Sequence, residues 1–430
     1  MRVAIVGAGW AGLSAAIAAT QAGHRVRVFE ASRILGGRAR ALACVLPDGS
    51  HATLDNGQHI LIGAYSQTLA VLRLVGIDAQ QALLRLPLAL VFPDGNGLRF
   101  PPWAAGLDAF GGICFAGGWN FADKWSLLRQ AASWHRSAFH CADESSAADI
   151  CARCSPRVMA ELMQPLCVSA LNLPASRASG QVFLRVVHDA LLGAAGSSNL
   201  LLPRVDLSTL FPDAAARWLA QHGAQLTMGQ RVKVLSRDGA AWRVDGEACD
   251  LVVLATTAPE AVRIAKGAAA GAPPAEAASI TQWCSVAGAL DHTAIATVYA
   301  WGKDARLPHP MLALRCGTEP AQSAPAQFVF DRGQLGGPAG LLAFVVSASA
   351  DERDALQAQV LAQARTQLGY ALEPVQTVVE KRAAFACSPG LRRPVKTITS
   401  GLLACADYVD GPYPSTLEGA VRAGNAILLS

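Results

Sequence analysis

The first residues able to do chemistry come at once. Gly7-Ala8-Gly9-Trp10-Ala11-Gly12 runs out of the apolar stretch Val3–Val6 and into the alanine-rich stretch Leu13–Gln21. On a strand–turn–helix unit this spacing holds a dinucleotide. Gly7 allows the tight turn, Gly9 lets backbone approach a pyrophosphate, and Gly12 lets helix and strand pack closely. The helix N-terminus then offers unpaired N–H groups and a partial positive charge to phosphate. Gly23 ends the helix and Arg25–Phe29 reads as a second strand. Glu30 follows it, 18 residues after Gly12, where a carboxylate accepts ribose hydroxyls.

Other reactive pairs carry less. Cys151-Ala-Arg-Cys154 has no second pair to complete a zinc site, and 11 cysteines scattered through the chain read as reduced thiols, so no metal is expected. A chain of 430 residues exceeds one core and suggests two domains. With 52% hydrophobic and 16% charged residues it is globular, and a net charge of +4 is too weak to argue for nucleic acid. No unbroken apolar run reaches the length of a spanning helix. The chain opens straight into a strand the fold needs, with no cleavable signal ahead of it, so a cytoplasmic location is expected.

Leu35-Gly36-Gly37-Arg38 follows the acid. It resembles the second glycine motif of the glutathione-reductase-like flavoproteins, in the branch holding amine oxidases and phytoene desaturases. The resemblance implies FAD rather than NAD, and puts Gly37 and Arg38 at the pyrophosphate. Gln230-Arg231-Val232-Lys233-Val234 fits the same branch, with the Val232 backbone at the adenine, as does the buried strand Asp250–Thr257. So does Leu402–Asp407 followed by Tyr413–Ala420, where Asp407 would bond the ribityl chain. A helix starting near Ser415, with Thr416 and Leu417 at the cofactor, would aim its positive end at the flavin N1/C2=O region, stabilising the anionic reduced ring. Ala406 stands where the family usually has Gly, which bears on the local turn. Read bare, this last segment is an ordinary capped helix with Ser415 or Thr416 as the cap.

Leu54-Asp55-Asn56-Gly57-Gln58-His59-Ile60 is expected beside the flavin. Asn-Gly also favours a hairpin turn, and a turn and a flavin contact are compatible. Gly57 would let backbone approach the ring, with Gln58 and His59 the polar groups closest to substrate. Together with Met163–Asn172, Asn199–Pro203 and Phe328–Arg332, the Asp55–Tyr65 segment resembles the hydroxysqualene dehydroxylases of hopanoid biosynthesis. In that family FADH2 reduces hydroxysqualene to squalene with loss of water. Amine oxidases usually carry an aromatic cage residue where this chain has Thr416, which weakens the amine-oxidising alternative. A phytoene-desaturase-like enzyme working oxidatively and a non-catalytic FAD- or NAD-binding protein are the other readings.

Reducing an allylic alcohol this way asks for a general acid, a dry pocket and a hydride donor. His59 is the first candidate acid and Asp331 the second; a structural histidine competes with the catalytic one. No second glycine-rich unit for a nicotinamide donor is evident, so an outside reductase is one source of electrons. With roughly thirty carbons at ~0.8 kcal/mol per CH₂, the substrate prefers an apolar phase by on the order of 20 kcal/mol. It must be met at a bilayer or handed over by another enzyme.

These groups need elements to hold them. The cofactor motifs are dispersed, so a discontinuous Rossmann-like FAD-binding domain of the glutathione-reductase type is expected, from residues 1–80, 205–265 and 380–430. Residues 81–204 and 266–379 would form a mixed α+β substrate domain. Ala294–Trp301, Gln327–Phe330 and Leu341–Ser347 read as strands, and the Ala/Gly/Pro run Gly267–Ala278 as a crossover linker. Phe121–Phe139 reads as a helix, with Ser126, Arg129, Gln130, Ser133 and Arg136 on one side and Phe121, Trp125, Leu127, Leu128 and Trp134 covering the rest. Trp103, Phe110, Phe115 and Trp119 come just before. That apolar face either packs on the protein's own core or touches the inner face of the cytoplasmic membrane as a peripheral contact.

Overall fold

Six strands form one sheet in the order 225–228, 25–30, 2–6, 251–254, 402–404, 397–399. The first five run parallel and the last pairs antiparallel. The computed structural model describes residues 1–103, 106–191, 193–317, 323–349 and 352–428. Parallel strands are covered on both faces, which explains why Arg2–Val6 and Leu251–Leu254 are apolar almost throughout and buried. Helix Trp10–Gln21 packs on one face, sandwiched by helix Leu417–Asn425. Their backbones nearly touch: a Cβ on Gly424 would stand 2.6 Å from the Ala11 carbonyl oxygen. From Arg2–Val6 the chain goes to one side for Arg25–Glu30 and to the other for Leu251–Leu254. Val6 is in register with Phe29 and Leu254, so the loops after these strands share one edge at the topological switch point.

A second, antiparallel sheet has the order 311–313, 328–331, 341–349, 292–301, 373–385. Its interior strand His292–Trp301, paired on both sides, has two working faces. Ala296, Val298 and Ala300 pack with Leu356, Val360 and Ala364 of helix Arg353–Leu368, while Thr297 and Tyr299 point the other way. Asn172, in the left-handed conformation that ends helix Gln164–Leu171, ties the helical part to this sheet. Its amide donates to Thr293 Oγ1 and the Ala294 carbonyl, and its oxygen accepts from Ala348 N–H.

Two expectations need correction. Gly267–Ala278 is no linker: helix Ala258–Ala269 runs into it and helix Pro274–Gly288 starts within it. Alanine is a strong helix former, and Pro274 sits at the first helical position, where its missing N–H costs nothing. The helix begun at Phe121 ends at Arg136, and its buried stripe is Asp123, Leu127, Gln130 and Trp134. That stripe cuts across the polar and apolar sides drawn from the sequence. Gln130 accepts from Arg153 N–H and Ser126 from Ser155 N–H, so polar partners on residues 153–155 draw that side inward. No helix among the described residues is long and apolar enough to cross a membrane.

One carboxylate joins the C-terminal helix to its neighbour. Helix Ser66–Leu74 has no side-chain cap of its own. Glu418, fully buried, accepts from the N–H groups of Gln67 and Thr68, from Thr68 Oγ1 and from Arg422 Nε. Replacing it with Ala strands those donors. Chemical denaturation of Glu418→Ala should show a loss of about 3 kcal/mol, with Thr68→Ala costing clearly less.

Candidate flavin and active site

The two glycine motifs meet at the switch point. Gly9 and Gly36 form a parallel bridge, and Gly36 N–H donates to the Ala8 carbonyl at 3.0 Å. Gly7, Gly36 and Gly37 all have positive φ, which side-chain-bearing residues rarely adopt. A Cβ on Gly12 would fall 1.9 Å from the Gly7 carbonyl oxygen, and one on Gly7 would fall 2.5 Å from that of Ala255. The helix that follows has Gly9 as an N-cap with no side-chain cap bond, and no acid in its first turn. Its N–H donors therefore suit an anionic phosphate. Glu30 ends its strand beside them, its carboxylate accepting from Ala8 N–H at 2.6 Å and Ser32 N–H at 2.8 Å.

Arg38 reaches across this edge. It donates to the Ala383 carbonyl at 2.6 Å, to the Arg382 carbonyl, and to Asp407 Oδ1 at 2.7 Å. Asp407 follows strand Leu402–Ala404, and Ala406 needs no left-handed turn, so the departure from Gly is harmless. Tyr413 and Ser415 are left-handed instead, in the loop that turns into helix Leu417–Asn425. Thr416 is the N-cap: Oγ1 accepts from Gly419 N–H at 3.0 Å and donates to the Tyr413 carbonyl at 2.7 Å. Leu417 is the first helical residue. Val232 is buried just past strand Gln225–Met228, two residues after Gln230, whose N–H donates to the Glu30 carbonyl, and its own carbonyl accepts from Arg263. Anion donors, a ribose acid, a cation and a second helix N-terminus on one edge make a donor set that fits FAD.

The Asp55 segment leaves strand His51–Asp55 and crosses to the second sheet. Asn56-Gly57 is not a hairpin turn; the hairpin between Ala41–Val45 and His51–Asp55 closes at residues 46–50. Asn56 instead donates twice within the same loop, from its N–H to the Arg40 carbonyl at 2.8 Å and from Nδ2 to the Arg38 carbonyl at 3.1 Å. Tyr299 donates to the Asp55 carbonyl at 2.9 Å, and Gln58 N–H donates to Thr297 Oγ1 at 3.3 Å. Gln58 Oε1 accepts from Arg332 Nη1 at 3.2 Å, and Arg332 Nη2 lies 3.8 Å from Asp55 Oδ2. His59 Nδ1 sits 2.7 Å from the Gly57 carbonyl. A carbonyl only accepts, so Nδ1 carries the hydrogen and Nε2 is the nitrogen left to exchange a proton.

Asp331, the second candidate acid, serves as a cap. It is buried, and its carboxylate accepts from Leu307 N–H, Gln334 N–H and Gln334 Nε2, capping the short 3₁₀ turn Arg332–Leu335. Its neighbour Arg332 is the residue that reaches the site. Arg332, Thr297 and Tyr299 were missed. For the last two a signal existed: polar side chains two apart on an otherwise apolar strand share a face.

Charge follows burial here. Burial pushes the His59 pKa down, aided by the Arg38 charge and opposed by its bond to Gly57. Burial pushes Asp55 up to about 6, against the pull of Arg332 and the Leu207 N–H it accepts. Below about pH 4 that carboxyl is protonated both folded and unfolded. As pH rises towards 6 the unfolded chain ionises first, so stability is lost. Denaturant unfolding from pH 4 to 7 should therefore move against the wild type, relative to Asp55→Asn, by about 2–3 kcal/mol. A difference that stays flat would mean Arg332 keeps the carboxylate ionised throughout.

Comparison with known proteins agrees with this geometry. Residues 10–426 match the family described as flavin-containing amine oxidoreductases. The hydroxysqualene dehydroxylase of Rhodopseudomonas palustris is 26% identical, over 98% of this chain and 96% of that protein. That of Sinorhizobium fredii is also 26% identical, but the match spans 55% of this chain and about half, 54%, of the relative. A crystal structure of an oxidoreductase from Methanosarcina mazei superposes with a TM-score of 0.72 over the whole of both chains at 18% identity, which speaks for the fold alone. The chain belongs to the flavin-containing amine oxidoreductase family and is an FAD-dependent oxidoreductase.

Proposed function

We propose that this chain is a hydroxysqualene dehydroxylase, reducing hydroxysqualene to squalene with loss of water. The observation that carries the reading is His59, fixed through Nδ1 so that Nε2 exchanges protons, on the loop that Arg332, Thr297 and Tyr299 hold. The relative matched over 98% of the chain supports it. Reduced FAD supplies the hydride when bound.

The chain's own residues do the rest. His59 donates the proton to the departing hydroxyl. A lowered pKa makes its imidazolium the stronger acid, although less of it is present at pH 7. Gln58, anchored by Arg332, fixes the backbone beside it. The packed antiparallel sheet keeps water from the carbon that loses its oxygen. The amine-oxidising alternative is disfavoured at Thr416, whose hydroxyl is spent on capping where a cage residue would stand. We read the two sheets as the cores of a cofactor unit and a substrate unit. The electrons come from a donor outside the chain, and the substrate is met at a membrane surface.

Reduced, FAD-loaded protein mixed anaerobically with hydroxysqualene should regain its oxidised flavin spectrum as squalene forms. Bleaching of the oxidised protein by amines or polyenes instead would assign it to the oxidative branch. The single-turnover rate should rise about tenfold per unit as pH falls towards the lowered His59 pKa. His59→Gln should abolish that slope and cut the rate by ~10²-fold or more. Unchanged turnover with FAD still bound would remove His59 from the chemistry.

A further inference from the structure

Every exposed Trp or Phe among the described residues lies between Trp103 and Trp125. Trp103, Phe110 and Trp125 are just over half exposed, Phe115 76% and Phe121 80%, with Leu107 at 60%. They form one surface. The Trp103 and Phe115 rings meet edge-on at 6.2 Å, and Phe121 and Trp125 stack one turn apart. Lys124 Nζ donates to the Cys114 carbonyl at 2.8 Å, tying the second pair to the first.

Helix Leu107–Cys114 carries apolar side chains on its outward face as well as its inward one. Its inward face is Asp108, Ala109, Gly111, Gly112 and Ile113, and the glycines sit where there is no room: a Cβ on Gly112 would fall 2.5 Å from the Phe100 ring, and one on Gly111 would strike Trp103. Its outward face is Leu107 and Phe110. Ile113 and Ala109 pack with the glycines, yet Leu107 and Phe110 look to solvent, which an amphipathic core helix does not need.

Within the segment that carries the patch, the exposed charges have one sign. From Gly97 to Phe139 the acids are Asp108 and Asp123, both buried. The bases are Arg99, Lys124, Arg129 and Arg136, and the three arginines are exposed. Two copies joined through this face would bring those bases together, so a second chain is a poor occupant. An apolar phase beneath anionic headgroups satisfies both features.

We propose that this rim inserts into the interfacial layer of an anionic lipid bilayer. It keeps Trp103, Phe110, Phe115, Phe121 and Trp125 of the aromatic set that the sequence suggested, but not Trp119 and Trp134, which are buried, their indoles donating to Glu161 and the Ile150 carbonyl. The surface stands on its own side chains; its use for collecting hydroxysqualene rests on the function proposed above.

The test is sedimentation of FAD-loaded protein with phosphatidylcholine vesicles, with and without phosphatidylglycerol. Wild type should bind the anionic vesicles, less so in high salt. The double variant Phe121→Ser/Trp125→Ser should bind at least tenfold more weakly, with FAD content and turnover of detergent-dispersed substrate unchanged. Equal binding by both proteins, or none by either, overturns the proposal. So does a wild-type dimer that the double variant breaks, which would give the face to a second copy. Failure to bind vesicles with turnover intact removes the surface alone; binding without squalene formation removes only the proposed reaction.

Discussion

Two glycine loops lie backbone against backbone at the carboxyl edge of the parallel sheet, and little else in the site could stand where it does without that approach. A Cβ on Gly37 would lie 3.3 Å from the Gly9 α-carbon, and Gly12 has no room for one beside Gly7. This closeness fixes the first helix N-terminus over the edge and brings Arg38, next in sequence, within reach of Asp407. The helix at the far end of the chain then depends on the first, because Gly424 packs on Ala11 with no side chain between them. Three segments distant in sequence thus share one anion-binding edge through glycine contacts, before any charge is counted.

The second sheet is joined to this edge by hydrogen bonds rather than by packing alone. Arg38 takes carbonyls from strand Glu373–Phe385 with one nitrogen and Asp407 with another. From the other direction, Thr297 and Tyr299 hold the Asp55–Gln58 loop from the strand's inner face. Asp55 and Arg332 are buried at 3.8 Å, and Gln58 takes the arginine's other nitrogen. A buried arginine with two partners is a rigid spacer: its fork sets the distance between the loop and the sheet. His59, next along the loop, inherits its position from that spacing.

The cofactor half of this arrangement was legible because its signals are local. Glycine spacing, a strand-terminal acid and a capped helix each lie within a few residues, and the sheet placed them at one edge. Arg332 was not legible: its partner Gln58 is 274 residues away, and nothing in an apolar strand says whether the acid or the base beside it turns inward. Asp331 drew attention as the buried acid, yet an acid before a tight turn is also a cap, and capping prevailed. The run Gly267–Ala278 misled through composition, since alanine builds helices as readily as glycine and proline end them.

Periodicity failed in an instructive way at the two helices before residue 140. It separates a polar side from an apolar side, but it does not say which side faces the protein. In helix Phe121–Arg136 the inward side is chosen by partners: Gln130 and Asp123 are buried because Arg153 N–H and Ser155 are there to bond them. Trp134 is buried because the Ile150 carbonyl accepts its indole. In helix Leu107–Cys114 the choice is made by distance, since only glycine fits against Phe100. Once those contacts are taken, the remaining aromatic side chains have nowhere to go but outward. Their exposure is thus a consequence of interior fit, and the bilayer contact proposed above would give them the apolar phase that water does not.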